Sequence, residues 1–224
     1  MTELQVYQLG IVAYSEALEI QLQLLEKRKN DEIPDTLLLL EHPHTITTGK
    51  RGNIDNLLLT KKALEKHDIH FEIIGRGGDV TYHGPGQLVG YPIIDLKNYN
   101  CDVHLYLRNL EQTIIDTLDE ISIVGRRIDG VTGVWVKRSK IASIGIGIKR
   151  WVTYHGFALN INTDMSYFDM MIPCGIQNVQ MTSIEKLLQK NEEIDKKHVD
   201  QSIIDSFCKI YNKNSVEISN SIDI

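Results

Sequence analysis

Cys174 stands in a short segment that suits a reacting thiol. It lies between Pro173 and Gly175. Proline fixes the approach of the chain, and glycine lacks the side chain that would crowd an attack on the sulfur. A free thiol with a pKa of about 8.5 is only a few per cent thiolate at neutral pH, so a nucleophilic cysteine needs a nearby cation or base. Without one, Cys174 would be a small apolar residue in a turn.

Lys140 and two histidines are the other groups that could take part in such chemistry. Lys140 begins an apolar run that contains glycines, where a partly desolvated lysine loses its proton more easily; a lysine at a turn is otherwise a solvated charge. His83 and His155 both occur in the sequence Tyr-His-Gly, which suits the close approach of a ligand. Each could equally be a structural histidine in a turn.

The remaining cysteines favour neither a disulfide scaffold nor a zinc site. The three cysteines form no Cys-x-x-Cys pair, and no histidine pair has metal-ligand spacing, so we expect free thiols and no metal. Cys101 precedes a predicted helix, where Asp102 opposes the effect of the helix dipole on the thiol. Cys208 adjoins an apolar helical stripe and is predicted to lie in the core.

Residues 75–86 contain five glycines and one proline. Such a loop could bind a phosphate through its backbone N–H groups, but it lacks the Lys-Ser/Thr ending of a P-loop and the spacing of a dinucleotide fingerprint. A nucleotide site is therefore not favoured.

Composition restricts the class of protein. The chain has 224 residues, 42% of them apolar, and a net charge of −6. This acidity disfavours nucleic acid or an anionic membrane as the main partner. No apolar stretch approaches the roughly 20 residues that cross a bilayer, and no targeting signal is visible, so we expect a soluble cytoplasmic protein.

The elements that would position these groups belong to one α/β domain, residues 1–224, with a mixed sheet flanked by helices. Residues 214–224 are predicted to be a loose tail, and residues 122–162 an antiparallel meander. Apolar patterning predicts strands over 4–12, 36–41, 70–74 and 87–96, a polar loop over 49–56, and helices from Tyr14, over 61–66, from Asp102 to Ile121, over 184–190 after Ser183, and through Val199, Ile203, Phe207 and Ile210.

The segment from Arg76 to Pro92, RGGDVTYHGPGQLVGYP, resembles the signature of the lipoyl(octanoyl) transferases of lipoate biosynthesis. Further segments of that family follow in order at 133–136, 140–145, 153–160 and 173–175. The resemblance covers about residues 40–185. It departs from the family at 41–50, where a second proline and an arginine are common.

The resemblance implies a biotin/lipoate protein ligase-like fold and a defined reaction. Octanoyl would pass from acyl carrier protein to a lysine of lipoyl domains of 2-oxo-acid dehydrogenases or of the glycine cleavage H protein, without ATP, metal or another cofactor. Cys174 matches the acyl-thioester nucleophile and Lys140 its partner. The acyl-binding stretches match Arg76, Gly77, Gly78, Asp79, Val80, Thr81, Tyr82, His83, Ser143, Ile144, Gly145, Gly156, Phe157 and Ala158.

Thiol chemistry gives each group a role. A cationic Lys140 would favour the Cys174 thiolate, and a neutral Lys140 could accept the proton of the attacking amine. The glycine-rich loop or His83 could hold the oxyanion. Three other functions are compatible with parts of the pattern: an ATP-dependent lipoate or biotin ligase, a non-catalytic module that binds lipoyl domains or acyl carrier protein, and a thiol hydrolase.

A basic cluster lies between Arg126 and Arg150. It contains Arg126, Arg127, Lys137, Arg138, Lys140, Lys149 and Arg150 against one acid, Asp129. If three neighbouring strands carry these residues, Arg126, Arg127, Lys149 and Arg150 would form one ridge that steers an acidic carrier protein. The alternative is that they protect an edge strand.

Overall fold

The computed structural model describes residues 2–188, 193–219 and 221–222. Within these residues, twelve strands form two sheets. The strands are β1 (Thr2–Ile11), β2 (Asp35–Glu41), β3 (Thr45–Gly49), β4 (His70–Ile74), β5 (Thr81–His83), β6 (Gln87–Ile93), β7 (Arg126–Ile128), β8 (Val131–Val136), β9 (Ser139–Lys149), β10 (Val152–Asn160), β11 (Gln180–Met181) and β12 (Lys213–Ser219).

The larger sheet is mixed, as predicted. Its strand order is β12-β1-β2-β6-β10-β9-β8-β7, with β11 beside β9. Strand β1 runs parallel to β2 and β12, whereas β6 to β10 pair antiparallel. The predicted antiparallel meander is therefore confirmed, and it carries the Lys140 segment into the middle of the sheet.

Helices cover both faces of this sheet. The helices are α1 (Tyr14–Lys29), α2 (Lys61–Lys66), α3 (Val103–Glu120), α4 (Ile184–Leu187) and α5 (Lys196–Ile210), of which α2 packs against β4 instead. In the part of the chain that the structure describes, no helix is long and apolar enough to cross a bilayer. Leu37 and Leu39 of β2 pack on the face of α3 and α5, and Leu38 and Leu40 pack on the face of α1. Because β2 is buried on both faces, its sequence is a continuous apolar run.

The amphipathic patterns of α3 and α5 are confirmed. The Asp102 side chain accepts a hydrogen bond from Leu105 N and caps α3. The buried Leu110, Ile114 and Leu118 follow at steps of four residues. In α5, Val199, Ile203 and Phe207 are buried in the same cluster. Cys208 is buried beside them, as predicted.

The smaller sheet has the order β4-β3-β5. The sequence pattern predicts only β4, because the threonines and glycines of β3 and the short β5 give no clear alternation of apolar and polar residues. A third apolar cluster that includes Ile46, Val80, Tyr82 and Phe168 joins this sheet to the segment before Cys174.

The C-terminal segment is not a loose tail as far as residue 219. Strand β12 pairs in parallel with β1, so it supplies backbone partners to what would otherwise be a free sheet edge. The expectation for residues 214–219 is therefore wrong, while residues 220, 223 and 224 lie outside the described residues. The predicted helix over 184–190 is α4, and its positions 189 and 190 also lie outside them.

One buried carboxylate joins four separate parts of the chain. Asp35, at the start of β2, accepts hydrogen bonds from Arg28 Nε at 2.8 Å, Lys213 Nζ at 2.7 Å and Tyr99 Oη at 3.0 Å. Burial raises the pKa of Asp35, but the hydrogen bonds from Arg28 and Lys213 outweigh it and hold that pKa below its ordinary value. The carboxylate therefore stabilises the fold in its charged form.

Replacing Asp35 by asparagine should lower the free energy of unfolding at pH 7 by about 3 kcal/mol, because two buried cations lose their counter-charge. Urea unfolding followed by circular dichroism measures this difference. Since the folded-state pKa is depressed, the stabilisation is complete above the unfolded pKa of about 3.9 and is lost as the pH falls through the folded value. The gap between wild type and Asp35→Asn should shrink below about pH 4.

Asp31→Asn is the matched control. Asp31 pairs with the same Arg28 at 2.5 Å, but its side chain is 79% exposed. An exposed pair contributes at most about 1 kcal/mol. Equal losses in the two variants would contradict the role given to the buried carboxylate.

Candidate active site

The backbone around Cys174 is held in an unusual conformation. Residues Pro173–Gly175 form a 3₁₀ turn in which Cys174 has φ 57°. Cys174 N donates to Val80 O at 2.8 Å. Gly175 has φ +68°, and a Cβ there would lie 2.7 Å from Asp79 Oδ2. This carboxylate also accepts from Asn56 Nδ2 at 2.7 Å. The turn is thus fastened to the glycine-rich loop, and only glycine fits after the cysteine.

Lys140 reaches the thiol from the second position of β9. Its side chain is 2% exposed, and Nζ lies 3.4 Å from Cys174 Sγ. The amine also lies 5.8 Å from the centre of the Trp135 ring. Among the described residues, Lys140 forms no ion pair with a carboxylate. The thiol is therefore the polar group that this amine faces.

Gly133 of β8 makes room for the Lys140 side chain. It has φ +128°, and a Cβ there would lie 2.6 Å from Lys140 Cε. Gly133 N donates to Oε1 of the buried Glu111 at 3.0 Å. The other carboxylate oxygen accepts from Arg108 and Arg127. Glu111 thus fixes the strand that sets the position of Lys140.

Arg76 shapes the glycine-rich loop through hydrogen bonds from Nη1 and Nη2, while its buried Nε has no hydrogen-bond partner among the described residues. Nη2 donates to Thr47 O, Thr47 Oγ1 and Asp79 O, at 2.9, 2.9 and 2.8 Å. Burial lowers the pKa of Arg76, and charge interactions with the acidic groups of Tyr14, Cys174, Tyr91 and Asp79 act in the other direction. Gly77 N donates to Ile146 O at 2.9 Å. The loop is therefore a fixed roof over β9.

The thiol lies in a cavity of about 280 Å³. One end of the cavity is bordered by the exposed Gly130 and Thr132, at the turn between β7 and β8. The other end is bordered by Tyr14, Tyr91 and His155, which are 4%, 3% and 1% exposed. The cavity is therefore open at one end and closed at the other.

His83 is a hydrogen-bond acceptor at Nε2, where Thr47 Oγ1 lies 3.4 Å away. Gln87 Nε2 donates to the carbonyl oxygen of Tyr82 and to Asn160 Oδ1, so Gln87 Oε1 faces His83 Nδ1 at 2.9 Å and must accept its proton. Burial lowers the pKa of His83 well below its ordinary value, and His42 and Arg76 lower it further. The neutral ring has no N–H left at Nε2, so the expectation that His83 could hold an oxyanion is wrong.

The structure brings most of the predicted site residues together. The cavity wall contains Arg76, Gly78, Asp79, Thr81, His83, Lys140, Ser143, Ile144, Gly145, Gly156, Phe157, Ala158 and Cys174. Ser143 Oγ lies 3.7 Å from Cys174 Sγ. Gly77, Val80 and Tyr82 are not on the wall: Gly77 anchors the loop to β9, and the other two side chains pack in the third apolar cluster.

The sequence pattern does not identify the residues at the closed end of the cavity. It predicts Tyr14 only as the apolar start of a helix and Tyr91 only as part of a strand. Val131 and Ile176 on the cavity wall carried no signal at all. His155 was a candidate through its Tyr-His-Gly segment, and its φ of 55° inside β10 marks it in the structure.

The predicted basic ridge is not one surface. Arg126 of β7 pairs with Trp135 of β8, near the start of β9. Lys149 lies at the other end of β9, about 30 Å away if each residue of the strand advances about 3.3 Å. Lys149 is also paired with Glu26 of α1 at 2.7 Å, and Arg127 with Glu111. The prediction of one docking ridge from these residues is therefore wrong.

Comparison with known proteins places residues 13–208 in the family described as the lipoyl protein ligase A/B catalytic domain. The chain is 57% identical over 169 residues to an octanoyltransferase of Solibacter usitatus, a match that covers 75% of this chain and 77% of that protein. It is 45% identical over 203 residues to an octanoyltransferase of Flavobacterium psychrophilum, covering 88% and 87%.

A solved structure shares the fold at much lower identity. The bipartite lipoate protein ligase of Thermoplasma acidophilum has a TM-score of 0.78 and 12% identity, with 99% of this chain and 88% of that chain covered. The expected ligase-like fold is thereby confirmed.

Substituting alanine for Gly133 should slow the alkylation of Cys174 by iodoacetamide at pH 7 by about tenfold, because a Cβ displaces Lys140 and removes the cation that favours the thiolate. Mass spectrometry of peptides distinguishes Cys174 from Cys101 and Cys208 and gives the rate at each thiol.

Gly130→Ala separates backbone strain from crowding. Gly130 also has positive φ, +76°, but nothing lies within 4 Å of a Cβ built there. We expect Cys174 of the Gly130→Ala variant to be alkylated by iodoacetamide at about the wild-type rate. A similar slowing in both variants would mean that strain in the β7–β8 region, and not the position of Lys140, controls the thiol.

Proposed function

The chain belongs to the lipoyl protein ligase A/B catalytic domain family and is an octanoyl-transferring acyltransferase of protein lipoylation, and we propose that it works through a thioester on Cys174. Lipoyl domains are its acceptors. As finer points, we propose acyl carrier protein as the donor, acceptor lysines on 2-oxo-acid dehydrogenases and the glycine cleavage H protein, and a cytoplasmic location.

One observation carries the proposal: Lys140 Nζ lies 3.4 Å from Cys174 Sγ in a cavity with one closed end. An ammonium at this distance attracts a thiolate, and the burial of Lys140 strengthens that attraction. The closed end offers a place for an acyl tail. The open end lets a long thiol arm and then a protein lysine reach the sulfur.

In the first step, the Cys174 thiolate attacks the carbonyl carbon of the carrier thioester. The bond from Sγ to the acyl carbon forms, and the bond from that carbon to the carrier sulfur breaks. Lys140 gives its proton to the departing thiolate and is left neutral. One thioester replaces another, so this exchange is close to thermoneutral and needs no ATP.

In the second step, the neutral amine of the acceptor lysine attacks the acyl-enzyme. The new C–N bond gives the amide, Sγ leaves as the thiolate, and neutral Lys140 takes the proton that the amine loses. The ammonium beside the thiolate is thus restored. An amide is more stable than a thioester, which drives the transfer forward.

The roof of the cavity offers donors for the oxyanion of both steps. Gly77 N and Val80 N are already bonded, to Ile146 O and to Asp79 Oδ1. Among the described residues, the amides of Gly78 and Asp79 donate to no protein acceptor. Both residues are on the cavity wall, and we assign the oxyanion to these two N–H groups.

The alternatives fit this arrangement less well. An ATP-dependent ligase activates its own substrate and has no need of a thiol facing a buried lysine. A binding module needs neither group, and a hydrolase would release acyl to water when no acceptor protein is present. The proposal that no ATP, metal or other cofactor is required is tested together with the intermediate.

Mixing the enzyme with octanoyl acyl carrier protein, without ATP or metal, should add one octanoyl group to the wild type by intact-protein mass spectrometry. Apo lipoyl domain should then discharge it. Cys174→Ala should gain no mass. Cys101→Ala is the matched control, since Cys101 is also a free and partly exposed thiol, and it should be acylated like the wild type.

The other outcomes decide between the rivals. Transfer to the lipoyl domain with no adduct on Cys174 would exclude the thioester. Transfer only after ATP is added would identify a ligase. Discharge of the adduct without a lipoyl domain would identify a hydrolase.

Lys140→Met should lower the single-turnover rate of acyl transfer by about 10² to 10⁴, because the proton donor and acceptor of both steps is removed. The unfolding free energy should stay equal or rise, since an apolar chain replaces a buried ionisable one. Chemically quenched single-turnover assays measure the transfer rate, and urea unfolding measures the free energy of unfolding. A variant that keeps its transfer rate would rule out the role given to Lys140.

A further inference from the structure

The closed end of the cavity is made of rings that bond to one another. His42 Nδ1 lies 2.7 Å from Val12 O and must donate its proton to that carbonyl. His42 Nε2 therefore accepts from Tyr91 Oη, also at 2.7 Å. Burial lowers the pKa of His42 to about 4, so this ring stays neutral at working pH. The direction of the hydrogen bonds is thereby fixed.

Tyr14 and His155 complete this closed end. Tyr14 Oη lies 3.4 Å from His155 Nδ1, and the Tyr14 ring packs 4.9 Å from His42, between ring centres. Burial and the charge of Arg76 lower the pKa of His155 to about 3. We call Tyr14, Tyr91 and His155 the floor of the cavity; His42 packs against Tyr14 and Tyr91 without lining it.

The backbone of His155 is fixed as firmly as its ring. Its φ of 55° departs from the strand conformation of its neighbours, and its N–H donates to Gln21 Oε1 of α1 at 2.7 Å. His155 Nε2 is buried and has no hydrogen-bond partner within the described residues. Buried polar atoms are nearly always paired, so such an atom on the wall of a substrate cavity calls for a functional reason.

The strand register gives the spacing, along the sheet, between the wall beside the thiol and the backbone of the floor. Ser143, which contacts Sγ, pairs with Ala158, and three residues further along the ladder Ile146 pairs with His155. Three residues of strand rise about 10 Å. An extended chain of single bonds advances about 1.2 Å per bond, as in an extended polypeptide. The eight bonds from sulfur to the eighth carbon therefore also span about 10 Å.

From this agreement we infer that Tyr14 and His155 form a rigid stop that sets the longest acyl chain the enzyme accepts at about eight carbons. The inference rests on the proposed acyl-enzyme at Cys174. A longer chain would have to displace rings that are held in place, Tyr91 by its bond to His42 and His155 by its backbone bond to Gln21, and breaking either bond would leave a buried polar atom unpaired. The stop is therefore the bulk of these fixed rings and does not depend on the Tyr14 hydroxyl, which lies 3.4 Å from His155 Nδ1.

The test compares donors of eight and twelve carbons on the same acyl carrier protein, with kcat/KM measured for transfer to the lipoyl domain. In the wild type, octanoyl should be strongly preferred. His155→Gly removes the ring and keeps a residue that accepts positive φ, and Tyr14→Ala opens the floor from the helix side. Each should raise the dodecanoyl-to-octanoyl ratio by about tenfold or more.

Tyr14→Phe is the matched control, because it keeps the ring and removes only the hydroxyl, and its ratio should stay near that of the wild type. The ratio is measured within one protein, so a partly unfolded preparation does not change it. If both opened variants keep the wild-type ratio, the stop lies elsewhere and the inference is wrong. If the wild type itself transfers neither chain, the proposed function has failed instead.

Discussion

The site depends on one constraint, which is that a buried amine faces a partly exposed thiol. Lys140 is 2% exposed and faces Cys174 at 3.4 Å. A buried amine without a partner is costly as a cation, because a charge taken out of water needs a compensating group. In the proposed mechanism the Cys174 thiolate is that group. Formation of the proposed thioester removes this partner charge, and Lys140, having given up its proton in the first step, is there to accept one in the second.

Holding this pair requires parts of the chain that are far apart in sequence. The amine belongs to Lys140 of β9, whose side chain passes Gly133 at the place where any other residue would have a Cβ. The N–H of Gly133 donates a hydrogen bond to Glu111 of α3, which fixes β8. The thiol comes from a turn fastened to the loop at Val80 and Asp79. Neither attachment uses the reacting atoms. The ion pairs of Glu111 with Arg108 and Arg127 lie outside the cavity, so they can fix the geometry without competing for Lys140.

Much of this arrangement could be predicted from the sequence, for physical reasons that also set the limits. Helix α3 and strand β2 were predictable because burial imposes a period on their apolar residues. Strand β3 and the pairing of β12 with β1 were not, since the first is rich in threonine and the second depends on a distant free edge. Cys174 and Lys140 were found through motifs. Tyr14 was not, because a tyrosine at a helix start looks the same whether it faces the core or a cavity.

The fold does not decide between transferase and ligase, since a lipoate protein ligase shares it at 12% identity. What differs is where the acyl group is activated. A ligase must spend ATP on a free acid, whereas a thioester donor arrives already activated and requires only a nucleophile and a group that moves a proton. In the proposed reaction Cys174, held in its positive-φ turn, is the nucleophile, and Lys140, whose side chain occupies the space at Gly133, moves the proton. The sheet supplies part of the cavity wall through Ser143, Ile144 and Gly145 of β9 and Gly156, Phe157 and Ala158 of β10.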